Sequence, residues 1–132
     1  MMPSKFAGFT LIEVMIVIVI LGIISAIAFP AYTSQMQKVR RSDAIDLAMS
    51  VAQRMERCFT VDGAYSAGGS CPTGAQASTK GYYSGAIAIG SATTYTITVT
   101  PVAGQPQASD THCASFVITQ TGNKTATNTD CW

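Results

Sequence analysis

Most side chains in this 132-residue chain that could do chemistry are four cysteines, one histidine and seven acids. The cysteines are Cys58, Cys71, Cys113 and Cys131. No two stand in C-x-x-C spacing, which argues against a zinc site or a dithiol redox motif. An even number of cysteines, all after the apolar segment described below, points instead to two disulfides made in an oxidising compartment. Four cysteines allow three connectivities. Cys58–Cys71 with Cys113–Cys131 is favoured because near pairs close small loops around local structure. Each such loop stabilises by roughly 3 kcal/mol on the chain-entropy account, and a small core needs staples. His112 lies beside Asp110 and Thr111 in a polar stretch and reads as a solvated side chain. Asp62, Asp110 and Asp130 are too scattered for a paired acid and base. No Ser–His–Asp spacing, phosphate-cradling loop or metal-ligand cluster occurs, so neither an enzyme nor a cofactor is expected. Asn123-Lys124-Thr125 matches a glycosylation sequon, a pattern short enough to arise by chance.

The formal charge of +1 conceals a gradient. Residues 31–60 hold Lys38, Arg40, Arg41, Arg54 and Arg57 against Asp43, Asp46 and Glu56, a balance of +2. Residues 61–132 hold Lys80 and Lys124 against three aspartates, a balance of −1. A region so balanced has no electrostatic footprint for nucleic acid, and specific nucleic-acid binding is not expected.

One acid stands apart. From Val14 to Phe29 only Gly22 and Ser25 interrupt the aliphatic and aromatic residues, and Glu13 sits at the start of that run. Phe9 to Phe29 as a helix would span about 31 Å, close to a bilayer's hydrocarbon thickness. Ala26-Ile27-Ala28 is compatible with signal-peptide cleavage. Such a peptide also wants a basic leader, however, and Lys5 is the only basic side chain there, cancelled by Glu13. A plain anchor leaves Glu13 unexplained. A carboxylate in a membrane span costs about 2.5–3.5 kcal/mol at the helix centre and less near its end, so a partner is the default inference.

Gly8-Phe9-Thr10-Leu11-Ile12-Glu13, followed at once by the apolar run, resembles the processing site of type IV prepilins and pseudopilins. The resemblance implies a leader at 1–8, cut between Gly8 and Phe9 by a membrane-embedded prepilin peptidase, with methylation of the new Phe9 amine. It also implies that Glu13 pairs with the Phe9 amine of a neighbouring subunit and sets the stagger of assembly. Pairing within one chain stays open. Residues 9–30 would be a transmembrane and assembly helix, and 31–132 a globular head. The pair Gly22 and Pro30 matches the helix breakers of type IVa pilins, where the intervening segment can lose helicity in the filament. Lys38, Arg40 and Arg41 just after the span would, by the positive-inside rule, place the head in the cytoplasm. The cysteines and the cleavage motif require the opposite orientation.

Beyond Pro30, Ile45, Ala48, Met49, Ala52, Met55 and Phe59 recur at three- and four-residue steps, predicting one packing face over an amphipathic helix at 31–59. Asp43, Asp46, Ser50, Gln53, Arg54 and Arg57 would face water. Asp62-Gly63 is a turn pair. Residues 60–83 read as loop and 84–132 as an antiparallel sheet. Within it, Ala86–Ile89 is a short strand. Thr94–Thr100 turns Tyr95, Ile97 and Val99 inward. Cys113–Gln120 turns Ala114, Phe116 and Ile118 inward. A turn at Thr121-Gly122-Asn123 returns Lys124–Thr127. The fold class is therefore α+β, a pilin fold: a long N-terminal helix laid on a small antiparallel sheet with a disulfide-bounded C-terminal region.

Thr-Tyr-Thr-Ile-Thr-Val-Thr-Pro at 94–101, then Cys113, then Cys131-Trp132, is similar to PilE-like minor pilins. That resemblance implies a minor type IV pilus subunit that helps prime assembly. It would be a single-pass protein of the bacterial inner membrane with a periplasmic head, and then part of an extracellular pilus. Its partners would be other pilin subunits, the prepilin peptidase, the inner-membrane assembly machinery and lipid. The competing expectations are a pseudopilin of a type II secretion system and a pilus-surface binding subunit for adhesion or DNA uptake. Calcium-ligating acids, usual in the major secretion pseudopilin, are not expected where only Asp110 and Asp130 occur.

Overall fold

A computed structural model describes residues 8–65 and 69–132. Of the expected leader, only Gly8 lies within the described residues. The chain divides after Met36 into two compact units.

One helix, α1, runs over Leu11–Asp62 with Pro30 inside it. Its N-terminal part carries exposed aliphatic side chains on every face. An 18-residue window there is long and apolar enough to cross a membrane, and none of it is buried. Proline lacks the N–H that would bond back one turn. Beside it, the Thr33 hydroxyl donates to the Phe29 carbonyl at 3.1 Å.

In the second unit α1 buries a stripe: Asp43, Ala44, Leu47, Ala48, Val51, Ala52, Met55 and Cys58. The period is the expected one, but the stripe is rotated. Ile45, Met49 and Phe59 lie only at the rim of the core, while Leu47 and Val51 lie inside it. Asp43, expected to face water, is buried. Its carboxylate accepts the Lys80 backbone N–H at 3.2 Å, a partner that no local pattern reveals. The helix runs past the expected end near Thr60 because Gly63, at φ 72°, supplies a left-handed cap. Its N–H bonds the Phe59 carbonyl at 2.8 Å.

Five antiparallel strands follow in sequence order: β1 (Gln76–Ala77), β2 (Tyr83–Ser91), β3 (Thr94–Pro101), β4 (Phe116–Thr119) and β5 (Lys124–Ala126). Tyr95, Ile97 and Val99 point into the core as expected. β2 is longer than its alternation suggested, because its N-terminal residue Tyr83 is fully buried and pairs with Pro101. β1 falls inside the expected loop. β4 is shorter than expected. Cys113 is held instead by its disulfide and by its N–H to Asp110 Oδ1 at 3.3 Å, and Ala114 is exposed rather than inward. At Gly85 an added Cβ would stand 3.4 Å from Leu47 Cδ2, so the missing side chain lets the helix approach the sheet.

Cys58 is bonded to Cys71 and Cys113 to Cys131, with Cα separations of 4.9 and 5.7 Å. The first ties the 63–75 connection to the helix end. The second ties the C-terminus to the segment before β4. Phe116 packs edge-on against both Tyr83 and Trp132, with centroids 5.9 and 5.8 Å apart.

An ion pair between half-buried Arg41 and buried Asp110 locks α1 to the β3–β4 connection. Arg41 grips Asp110 with both nitrogens of its fork, at 2.7 and 2.9 Å. Gln107, fully buried, donates to the same carboxylate at 2.8 Å. Burial pushes the Asp110 carboxyl up, but the Arg41 guanidinium and the Cys113 N–H outweigh it and hold the group below the ordinary carboxylate range. A depressed carboxyl contributes stability above its unfolded value, lost as pH falls through the folded one. Replacing Asp110 with Asn would leave Arg41 without a counter-charge. Asp110→Asn is expected to cost about 3 kcal/mol near neutral pH and to flatten the acid limb of the stability profile. Urea unfolding of the detergent-solubilised chain across acid pH measures both. An unchanged acid limb would show that other carboxyls carry it.

Candidate assembly and contact sites

The first site lies in the N-terminal unit. Phe9, Glu13, Val14 and Val17 border a shallow depression on the start of the helix. Phe9 is 83% exposed, and Gly8 has no heavy atom within 4 Å of where a Cβ would stand. The structure thus brings Phe9 and Glu13 to one patch and leaves the Gly8–Phe9 bond open. Thr10 also gives the helix start a local cap. The Glu13 backbone N–H reaches Thr10 Oγ1 at 3.4 Å and the Thr10 carbonyl at 3.1 Å, so the Thr10 hydroxyl caps the first turn. An acid in the first turn also opposes the positive end of the helix dipole. Gly22 and Pro30 both lie within continuous helix.

Two open depressions of the second unit border the end of α1. One, of about 530 Å³, is lined by Met49, Ala52, Glu56, Arg57, Tyr95 and Ile118 among others. Glu56 is its acidic centre. The Tyr65 hydroxyl donates to Glu56 at 2.9 Å and the Tyr95 hydroxyl at 3.0 Å. Burial, then the bond to Glu56, pushes Tyr65 up to about 12 and Tyr95 higher still, so both stay neutral donors. Nothing in the local sequence marks Glu56, because its partners are contributed by the loop and by β3. The other depression, of about 450 Å³, is lined by Arg54, Arg57, Cys58, Val61, Ser70 and Pro72. Arg54 donates to Gln76 Oε1 at 2.7 Å.

Two further cations lie over aromatic rings: Arg40 over Tyr82 at 5.0 Å and Lys124 over Trp132 at 5.1 Å. His112 is exposed, as expected, and its Nε2 meets Asp130 at 2.9 Å. That bond holds the Asp130 carboxyl below its ordinary value. His112, Cys113 and Cys131 are close enough to suggest a metal site, but both cysteines are consumed by their disulfide and offer no thiolate.

These features match known proteins. A family model of the prokaryotic N-terminal methylation motif covers residues 3–29. A second, described as the type IV minor pilin ComP, DNA uptake sequence receptor, covers residues 30–117. Fimbrial protein EcpC of Eikenella corrodens is 34% identical over 94 residues, which are 71% of this chain and 61% of that protein. A fimbrial protein of Moraxella nonliquefaciens is 47% identical over 58 residues, 39% of this chain and 38% of its own length. The type IV major fimbrial protein FimA of Dichelobacter nodosus is 47% identical over 47 residues, 36% of this chain and 29% of its own. The chain thus spans less than two thirds of each of these relatives. The match to the minor pilin model takes in most of α1 and the sheet as far as β4, and on that evidence the chain belongs to the type IV minor pilin ComP family.

Proposed function

We propose that the chain is a minor structural subunit of a type IV pilus, anchored in the inner membrane by its apolar helix before being drawn into the filament. The observation that carries this is the lone acid Glu13 beside Phe9 at the head of a fully exposed apolar helix. Cleavage after Gly8 would turn Phe9 into a cation on the same patch as Glu13. In a low-dielectric layer an ammonium and a carboxylate attract strongly, and on an exposed patch the amine can come from an adjacent subunit. The head would lie outside the cytoplasm, where its two disulfides form and persist. The segment Gly22–Pro30 would be the part of the helix that loses helicity on assembly. A role in priming assembly follows from the same resemblance to minor pilins.

A second reading concerns the head. The matching family is described as a DNA uptake sequence receptor, and the head would take duplex DNA during uptake. The charge balance of residues 61–132 argued the other way, but the compact second unit also contains the basic part of α1. Over Gln37–Trp132 seven basic residues face six acids. Asp43 and Asp110 are buried, and Arg54 and Arg57 border one open depression. Guanidinium groups on such a surface suit phosphate contacts.

Three outcomes test these proposals. Gly8→Phe is expected to leave an uncleaved precursor in the membrane, read by the mass of the mature N-terminus; normal processing would remove the leader assignment. Glu13→Gln keeps the capping geometry and removes the charge, so it should fold and insert yet be depleted from sheared filaments. Incorporation at the native level would overturn the pairing of Glu13 with a neighbouring amine. For the head, duplex binding by the full chain in detergent should weaken as salt rises, with a log–log slope near −0.9 per phosphate contact. Arg57→Ala should lower that slope by about one contact. Salt-independent or undetectable binding would rule out the receptor reading while leaving the structural one intact.

A further inference from the structure

The two edges of the sheet are treated differently. At one edge, β5 is guarded: the C-terminal Trp132 donates its indole N–H to the Thr125 carbonyl at 2.7 Å, and Lys124 stands on the strand itself. Lysine on an edge strand and a covered carbonyl are both devices that discourage further strand pairing. At the other edge, β1 is only two residues long and pairs with Ser84 and Gly85 alone. β2 continues for six residues beyond that cover, Ala86–Ser91, all of them outside β1's register. Their other side is taken by β3 up to the irregularity between Ile89 and Ser91. Among the described residues, no backbone hydrogen bond outside the β2–β3 ladder reaches Ala86–Ser91; the nearest is the Tyr65 N–H to the Ala92 carbonyl.

The composition of this edge is unusual for an unprotected strand. It reads Ala-Ile-Ala-Ile-Gly-Ser, with no proline, and no charged residue occurs between Lys80 and Asp110. Ile87 and Ile89 pack against the core yet remain half-buried. An apolar, uncharged edge of this length is a template for adding a strand.

We propose that this edge pairs with the same edge of a second copy of the chain, antiparallel and centred on Ala88. The edge is self-complementary in that register. A two-fold axis at Ala88 sets Ala88 against Ala88 and Ile87 against Ile89 of the second copy, so both copies complete the burial of their isoleucines on the core-facing side. Cross-strand apolar pairs of this kind are the unit of sheet stabilisation, and a two-fold axis makes the contact isologous and closed at two copies. The three central pairs, residues 87–89, fit inside the open stretch without displacing β1, and the lack of charge removes any like-charge cost. The contact lies wholly in the head and is independent of the Glu13 assembly site, so it joins heads side by side rather than propagating a filament.

The test uses the full chain in density-matched detergent, with its protein mass followed by analytical ultracentrifugation as concentration rises. Ala88 is exposed, so a lysine there is tolerated by the fold. Native protein is expected to dimerise. Ala88→Lys and Ala88→Glu should each lower the associated mass roughly twofold, since like charges directly opposite are destabilising. An equal mixture of the two variants should restore the dimer. A native chain that stays monomeric overturns the proposal, as does an Ala88→Lys dimer as stable as the native one, which would place the association in the apolar helix.

Discussion

A helix with aliphatic side chains on every face has no stable place in water, and that constraint governs the rest of this molecule. Val14 to Phe29 are exposed throughout, so the segment must be covered by lipid or by other copies of itself. Within hydrocarbon only a fully hydrogen-bonded backbone is tolerated, which the helix provides internally. Two residues disturb that solution. Pro30 removes one backbone donor, and Glu13 introduces a charge. The first leaves the Ala26 carbonyl, four residues back, without its helical donor. The second requires a counter-charge, and cleavage beside it would create one.

Farther along the same helix the requirement changes. From Asp43 to Cys58 only one stripe is buried, and the sheet covers it. The stripe is built from small residues, Ala44, Ala48 and Ala52, between larger ones, and Gly85 meets it from the sheet. Close approach needs small side chains on both surfaces, because interiors pack to near-crystalline density. A core of this size closes with help. Two disulfides hold the connection after the helix and the C-terminal region. The Arg41–Asp110 pair fixes the 106–110 segment, whose buried Gln107 amide nitrogen donates both to Asp110 and to the Gln37 carbonyl.

Among the described residues, the head's surface chemistry is modest: arginines beside a disulfide, an acid held by two tyrosines, two cations over rings, and one sheet edge left open. None of these forms a reactive constellation. The acid Glu56 illustrates the point. Two phenolic donors bind it, and both phenols are held neutral, which suits a fixed contact surface rather than proton transfer.

The sequence alone determined whatever depends on local composition and period. The membrane-compatible run, the cleavage-like motif, the amphipathic continuation of the helix and the inward residues of β3 all come from side chains close in the chain. Even the disulfide pairing was readable, because the bridged cysteines are neighbours in sequence and short loops close at least entropic cost. The tertiary structure decided what depends on residues far apart. The helix stripe was misplaced by part of a turn because the alternating residues of α1 admit two apolar registers, and only the position of the sheet selects Leu47 and Val51 over Ile45 and Met49. Asp43 could be buried only because the Lys80 backbone arrives from 37 residues away, and Asp110 only because Arg41 arrives from 69. The open edge of β2 is likewise a property of strand order: an apolar strand reads the same whether it is flanked on one side or both, and the number of its neighbours is settled only when the sheet is assembled.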